Sequence, residues 1–265
     1  MGGKERYRSL LNEFPAVECV SKRLPPVSHD VVHHIVTTGP PIASKFRKLD
    51  GQKLAAAKAE FKQLEEDGII QRSTSPWSSP LHMVRKADGG WRPCGDFRRL
   101  NLVTEPDVYP LPNMLDFAAK AAGCTVFTKI DLRKGYHQIP VNPADVPKTA
   151  IATPFGLFEY LRMGFGLRNP GASFQRHVDR AIRDVERAFA WVDDIIICSV
   201  SQAEHVVHVG KYCRRCRIMA SSSMTTSAFG GYQSWSTWDT RFWRRECFRF
   251  QPTWPPFRIS PLPLP

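Results

Sequence analysis

Asp193 and Asp194 stand side by side inside the run Phe189-Ala190-Trp191-Val192-Asp193-Asp194-Ile195-Ile196-Ile197-Cys198, whose other members are all apolar. A carboxylate buried without compensation loses several kcal/mol of hydration, so such a group is normally paired or bound to a metal. A polar hairpin turn with both side chains in water would account for the pair alone, since Asp is common in turns. Asp131 shifts the balance. It lies at the end of a second apolar stretch, and three carboxylates on two strand ends can converge on one edge of a sheet. Oxygen-only donors of this kind suit Mg2+, which keeps several waters and takes its remaining ligands from substrate phosphates. Two such ions about 3.5–4 Å apart can stabilise both the attacking and the leaving oxygen of a phosphoryl transfer.

The elements that must hold these residues show as periodic patterns. From Thr125 to Leu132, alternation places Val126, Thr128, Ile130 and Leu132 on one face of a strand, with Phe127, Lys129 and Asp131 on the other. The run from Phe189 to Cys198 reads as two apolar strands meeting at a tight turn. Residues Pro170 to Val185 predict an amphipathic helix with Phe174, Val178, Ile182 and Val185 in register. Upstream, Leu54, Ala57, Phe61 and Leu64 predict a helix from Gly51 to Glu66, stopped by Gly68. Leu81 to Lys86 and Trp91 to Cys94 predict a hairpin around Asp88-Gly89-Gly90, and Pro93 confines the return strand to a sheet edge. Strands and helices in mixed order, with hairpins, predict an α+β fold rather than a doubly wound parallel sheet.

The 265 residues, 42% of them hydrophobic, are enough for one large domain or two modest ones. No stretch approaches the ~18 apolar residues of a membrane span. The N-terminus lacks an apolar signal core. The expectation is a soluble intracellular chain, cytoplasmic or nuclear, with no membrane partner. Seven scattered cysteines argue for reduced thiols. Cys213 and Cys216 form a CxxC, but no second pair follows at zinc-finger spacing. His29, His33 and His34 lie in a Pro-punctuated segment, residues 1–45, read as an extended connector because no acidic or Cys ligand completes a metal site. The net charge of +12 points to a polyanionic partner. The stretch from Lys211 onward carries +7 of it, so the nucleic-acid argument rests on the +5 of the first 210 residues.

Longer motifs extend the case. Ser75-Pro76-Trp77 through Trp91-Arg92-Pro93-Cys94-Gly95-Asp96-Phe97-Arg98-Arg99-Leu100-Asn101 resembles the fingers of gypsy-type LTR retrotransposon reverse transcriptases. So do Lys129-Ile130-Asp131-Leu132-Arg133-Lys134-Gly135-Tyr136-His137-Gln138-Ile139-Pro140 and Lys148-Thr149-Ala150-Ile151. Thr153-Pro154-Phe155-Gly156-Leu157-Phe158-Glu159-Tyr160 and Phe165-Gly166-Leu167-Arg168-Asn169 continue the series in the family's order, and the resemblance covers roughly His29 to His208.

The resemblance implies the fingers and palm of a right-hand polymerase, the palm an antiparallel sheet with helices packed on one face. Residues 46–120 would be mainly fingers, and 121–208 palm with some fingers. Asp131, Asp193 and Asp194 would hold two Mg2+ ions, with Mn2+ a possible substitute. Lys86 and Arg92 match residues that neutralise an incoming deoxynucleoside triphosphate. Tyr136 matches the bulky side chain that excludes a 2′-hydroxyl. Phe165, Gly166 and Gln175 match positions lining the nucleotide and template pocket. The implied partners are an RNA or DNA template, a primer strand and deoxynucleoside triphosphates.

Three features depart from the family pattern. Trp191 stands where Tyr is usual, and Gly164 where Pro is usual. Residues 211–265 hold only four Leu, Ile or Val beside four Trp, too few to build an ordinary core. The tail from 209 to 265 is expected to be disordered or out of frame. Codons can be chosen for Ile218 to Ala228 that, read two bases later, encode Tyr-Gly-Ile-Val-Ile-Asn-Asp-Asp-Lys-Cys, which resembles the family's next strand. The shift would fall near His208 to Tyr212, truncating the domain before its thumb. The rival expectation is a catalytically inactive nucleic-acid-binding relic.

Overall fold

The computed structural model of the chain describes residues 12–13, 27, 29–86, 89–132, 134–191, 194–218 and 224–229. The Ala-rich segment forms α1 (Gly51–Glu66). Asp50 caps it, its side chain accepting the Lys53 backbone N–H at 3.1 Å. Gly68, at φ +68°, follows its end in the left-handed region, where the absence of a Cβ matters. Ala57 and Phe61 are its buried residues, and the Phe61 ring meets Phe155 and Phe158 edge-on at 5.5 and 5.0 Å.

Five strands form the sheet under that helix: β1 (Ile70–Arg72), β2 (Ser79–Arg85), β3 (Trp91–Gly95), β5 (Ile151–Thr153) and β6 (Gly156–Tyr160), in the order β1-β6-β5-β2-β3. All neighbours run antiparallel except β2 and β5. The predicted hairpin is β2–β3, and β3, which contains Pro93, is an edge strand as its missing N–H requires. Asp88 lies outside the described residues. A Cβ on Gly95 would meet the Phe97 ring at 2.5 Å and Ile151 at 2.8 Å, so only glycine fits the end of β3. Two short helices, α2 (Arg98–Val103) and α3 (Met114–Ala121), lead to the second sheet.

That sheet is antiparallel throughout, in the order β7 (Ala188–Trp191), β8 (Asp194–Ser199), β4 (Val126–Leu132) and β9 (Met224–Phe229). The alternation in β4 holds: Val126, Thr128, Ile130 and Leu132 are all buried. Ile130 and Leu132 join Ile195, Ile197, Ala188 and Ala190 in one core with Phe174, Val178 and Ala181 of α4 (Pro170–Ile182) and Val209, Tyr212 and Cys213 of α5 (Gln202–Ile218). On the opposite face, α3 sets Phe117 against Phe189 at 5.1 Å. Two helices therefore cover one face, and a third reaches part of the other.

Described elements reach into two of the expected outlying segments. The boundary at 208 falls inside α5, which runs to Ile218 and buries Tyr212 completely. Met224–Phe229 also pairs along β4; residues 219–223 and those after 229 lie outside the described residues. The connector over 1–45 is docked where it is described. His33, Thr37 and Ala43 bridge to Val141, Thr104 and Ser78, and Val31 is buried in one core while Ile35 is buried in the other.

The three nearby histidines do not share a site. His33 packs on α4, its Nδ1 2.8 Å from Ser173 Oγ. The His29 ring lies tilted against that of His177, their centroids 4.4 Å apart. His34 is exposed and contacts Asn142. Burial pushes His33, His137 and His205 down to about 4, and His177 to about 3. Such a group stays neutral in the fold while the unfolded chain takes up a proton near 6.5. Its contribution is therefore fully present above pH ~6.5, is lost as pH falls, and stops falling near pH 4. Thermal melting should decline over that window, and His177→Phe should flatten part of the slope.

Candidate active site

Strands β4 and β8 share a ladder whose terminal pair is Asp131 and Asp194. Directly opposed residues in an antiparallel pair have Cα atoms about 4.5–5.5 Å apart. The two positions are thus neighbours, although 62 residues separate them in the chain. On the other side of β8, Asp194 pairs with Trp191 of β7, so only Val192 and Asp193 join the two strands. Asp193 itself lies outside the described residues.

The register shows why the acids can sit here. Asp194, Ile196 and Cys198 alternate with Ile195 and Ile197, and the latter pair faces the helix-covered core. Asp194 falls on the other face and keeps 30% of its side chain exposed. Its Oδ2 accepts from Lys129 Nζ at 2.9 Å. Lys129 is on β4, two residues before Asp131. Strand alternation places it on the face of Asp131, but its partner depends on cross-strand register, which the sequence does not state.

Beyond β4 the chain turns sharply at Lys134, whose φ of +51° is unusual for a residue with a Cβ. Its Nζ is anchored to Asp67 at 2.6 Å. A 3-10 turn, Gly135–Gln138, follows and presents Tyr136. That ring lies 5.2 Å from Phe165 and 5.3 Å from Phe174, which support it from a loop and from α4. Phe165 is 52% exposed, too open for a pure core residue. Gly166 follows at φ +87°, and a Cβ there would come within 3.2 Å of the Gly95 carbonyl oxygen. Asn101 Nδ2 donates to the Gly166 carbonyl at 2.9 Å. The Phe165-Gly166 loop is in this way fastened to α2 and passes close to the end of β3.

Gln175 is buried on α4. Its Nε2 donates to Asp179 Oδ1 at 2.9 Å and to the Ala190 carbonyl at 3.4 Å, one residue before Trp191. Its Oε1 has no hydrogen-bond partner among the described residues. Lys86 and Arg92 are exposed on the β2–β3 hairpin, part of the other sheet. Of the residues singled out by sequence, the fold brings together positions 131 and 194, and separately Tyr136 with Phe165; it holds Lys86 and Arg92 on a different element. Phe174 and Lys129 are the additions. At Gly164, a Cβ would lie 3.4 Å from the Tyr160 ring, so the position tolerates the glycine without demanding it.

The site chemistry suits a divalent ion bound through oxygen. Two carboxylate positions share one register row, the described carboxylate is partly exposed, and its resident partner is a cation that an ion could replace. No cluster of three or more His, Cys, Asp or Glu side chains arranged for a metal occurs among the described residues.

An antiparallel sheet with acidic residues at the β4–β8 end, backed by two helices and joined to a second sheet with a hairpin, is the palm and fingers arrangement of a right-hand polymerase. The fold is shared with foamy virus protease-reverse transcriptase in complex with an RNA/DNA hybrid, at a TM-score of 0.75 and 18% identity over 85% of this chain and 30% of that one. The native enzyme of prototype foamy virus gives 0.73 and 19% over 84% and 30%. The family described as "Reverse transcriptase (RNA-dependent DNA polymerase)" matches residues 84–222, and the chain belongs to it. It is 37% identical over 209 residues to the retrovirus-related Pol polyprotein from transposon 297 of Drosophila melanogaster, covering 76% of this chain and 20% of that one. For the Pol polyprotein of the gypsy transposon of the same fly the identity is 39% over 158 residues, 57% of this chain and 15% of that one. The chain thus spans about a fifth or less of the length of the curated relatives it matches. Among the described residues no helix is long and apolar enough to cross a membrane.

Proposed function

We propose that this chain is the fingers-and-palm part of a gypsy-type LTR retrotransposon reverse transcriptase, a template-directed DNA polymerase using two Mg2+ ions. The observation that carries the reading is the shared register row of positions 131 and 194, set within a long series of family motifs. Asp131, Asp193 and Asp194 would hold the ions, which when bound supply Lewis acidity at the primer 3′-hydroxyl and charge neutralisation at the triphosphate.

The remaining roles belong to this chain's own side chains. Tyr136, backed by Phe165 and Phe174, forms a floor under the sugar that leaves no room for a 2′-hydroxyl. Gln175, held by Asp179 and by the Ala190 carbonyl, keeps α4 and β7 in fixed relation behind the acidic end. Gly166 lets the loop carrying Phe165 pass close to Gly95. Lys86 and Arg92 present exposed cations on a hairpin and would meet the triphosphate as it enters. The partners are an RNA or DNA template, a primer and deoxynucleoside triphosphates.

Primer extension by residues 1–265 alone should be weak, because those after Lys211 are too poor in Leu, Ile and Val to build a further packed unit within this stretch. Primer extension on an RNA template, with excess unlabelled template as trap, should give products of one or a few nucleotides. Long products would refute the weakness. Salt-dependent binding with no Mg2+-dependent incorporation would favour an inactive nucleic-acid-binding relic.

A further inference from the structure

Lys129 has no part in the two-ion reading, yet its ammonium contacts Asp194 Oδ2 at 2.9 Å. It lies two residues before Asp131 on β4, and Asp194 pairs with Asp131 across the ladder. The acidic end therefore already contains one fixed cation. Like charges directly opposite in a ladder destabilise it, and an ammonium beside them offsets that repulsion before any ion arrives. Both partners stay about one-third exposed, 32% for Lys129 and 30% for Asp194, so ions can reach them.

We infer that Lys129 is a positioning residue, a tethered counter-ion that holds Asp194 in place and that a divalent cation must displace to use Oδ2. This rests on the reading of Asp131, Asp193 and Asp194 as ion ligands. A covalently tethered competitor acts at high effective concentration, so the free protein binds isolated ions weakly. An ion brought in already bound to triphosphate competes better, because its extra contacts add to the exchange. The loading of the site is thereby coupled to nucleotide arrival. An ion pair of no consequence, as many surface pairs are, would leave metal affinity unchanged.

The test is Mn2+ binding to the full chain without nucleic acid or nucleotide, read from the electron paramagnetic resonance signal of free Mn2+. Lys129→Met should bind Mn2+ about thirtyfold more tightly, the scale expected for removing a unit charge some 4 Å from a divalent ion in a water-like dielectric. Lys129→Gln should repeat that result, and Lys129→Arg should stay near the parent chain. In chelator, Lys129→Met should melt below the parent chain, and added Mn2+ should restore much of the difference. If both neutral variants bind with parent affinity while Asp131→Asn binds more weakly, the role of Lys129 is overturned and the ion site stands. If Asp131→Asn and Asp193→Asn leave Mn2+ affinity unchanged, the ion site falls and this inference falls with it.

Discussion

Asp131→Asn should lower Mg2+-dependent addition of one nucleotide to a primed template by about 10³-fold or more, measured in single turnover. An ion bridging nucleophile and triphosphate supplies several kcal/mol of transition-state stabilisation, and each 1.36 kcal/mol lost is about a factor of ten. The amide preserves the size of the side chain but is neutral, so it is a much poorer ligand for Mg2+. The fold should survive, because the neighbours that hold β4 in place are Ile130 and Leu132 on the buried face. A melting curve close to that of the parent chain would separate lost chemistry from lost structure. Asp194→Asn should cost less, since displacing Lys129 already offsets part of what an ion gains from that carboxylate.

Tyr136→Ala should weaken discrimination against ribonucleoside triphosphates by on the order of 100-fold, the scale set by shape in a packed pocket. The ring is fixed from two sides, at 5.2 Å by Phe165 and at 5.3 Å by Phe174. It cannot swing aside for an added hydroxyl without disturbing both. Tyr136→Phe keeps the ring and should keep the selectivity. The check is the ratio of kcat/KM for paired deoxy and ribo substrates. Equal ratios in the Ala variant and the parent chain would remove Tyr136 from the nucleotide site.

The parts of the fold that show in the sequence are those in which one face of a long element is buried. Leu54, Ala57, Phe61 and Leu64 mark α1, found over Gly51–Glu66 as expected. Alternation in β4 assigns both of its faces, and Pro93 marks an edge strand that is one. The strands β1 and β5 have three residues each, too few for a period to emerge. The N-terminal strap has no period because it buries single residues, Val31 and Ile35, in two separate cores through distant bridges. In α5, Gly210 and the charges that follow obscure a helix whose Tyr212 is nevertheless fully buried.

The candidate site divides in the same way. Asp131, Asp193 and Asp194 stand out because a carboxylate in an apolar run needs compensation. The pairing of Lys129 with Asp194 cannot be read in advance. It depends on which residue of β8 lies opposite β4, and a slip of one position would send that lysine to the buried face.

The most direct measurement is the initial rate of single-nucleotide addition to a primer–template by the purified chain, with Mg2+ and with chelator, beside Asp193→Asn. Three acidic groups gathering two ions predict a slow but measurable rate that requires the metal and disappears in the variant. An equal rate in Asp193→Asn, or synthesis that persists in chelator, would contradict that arrangement.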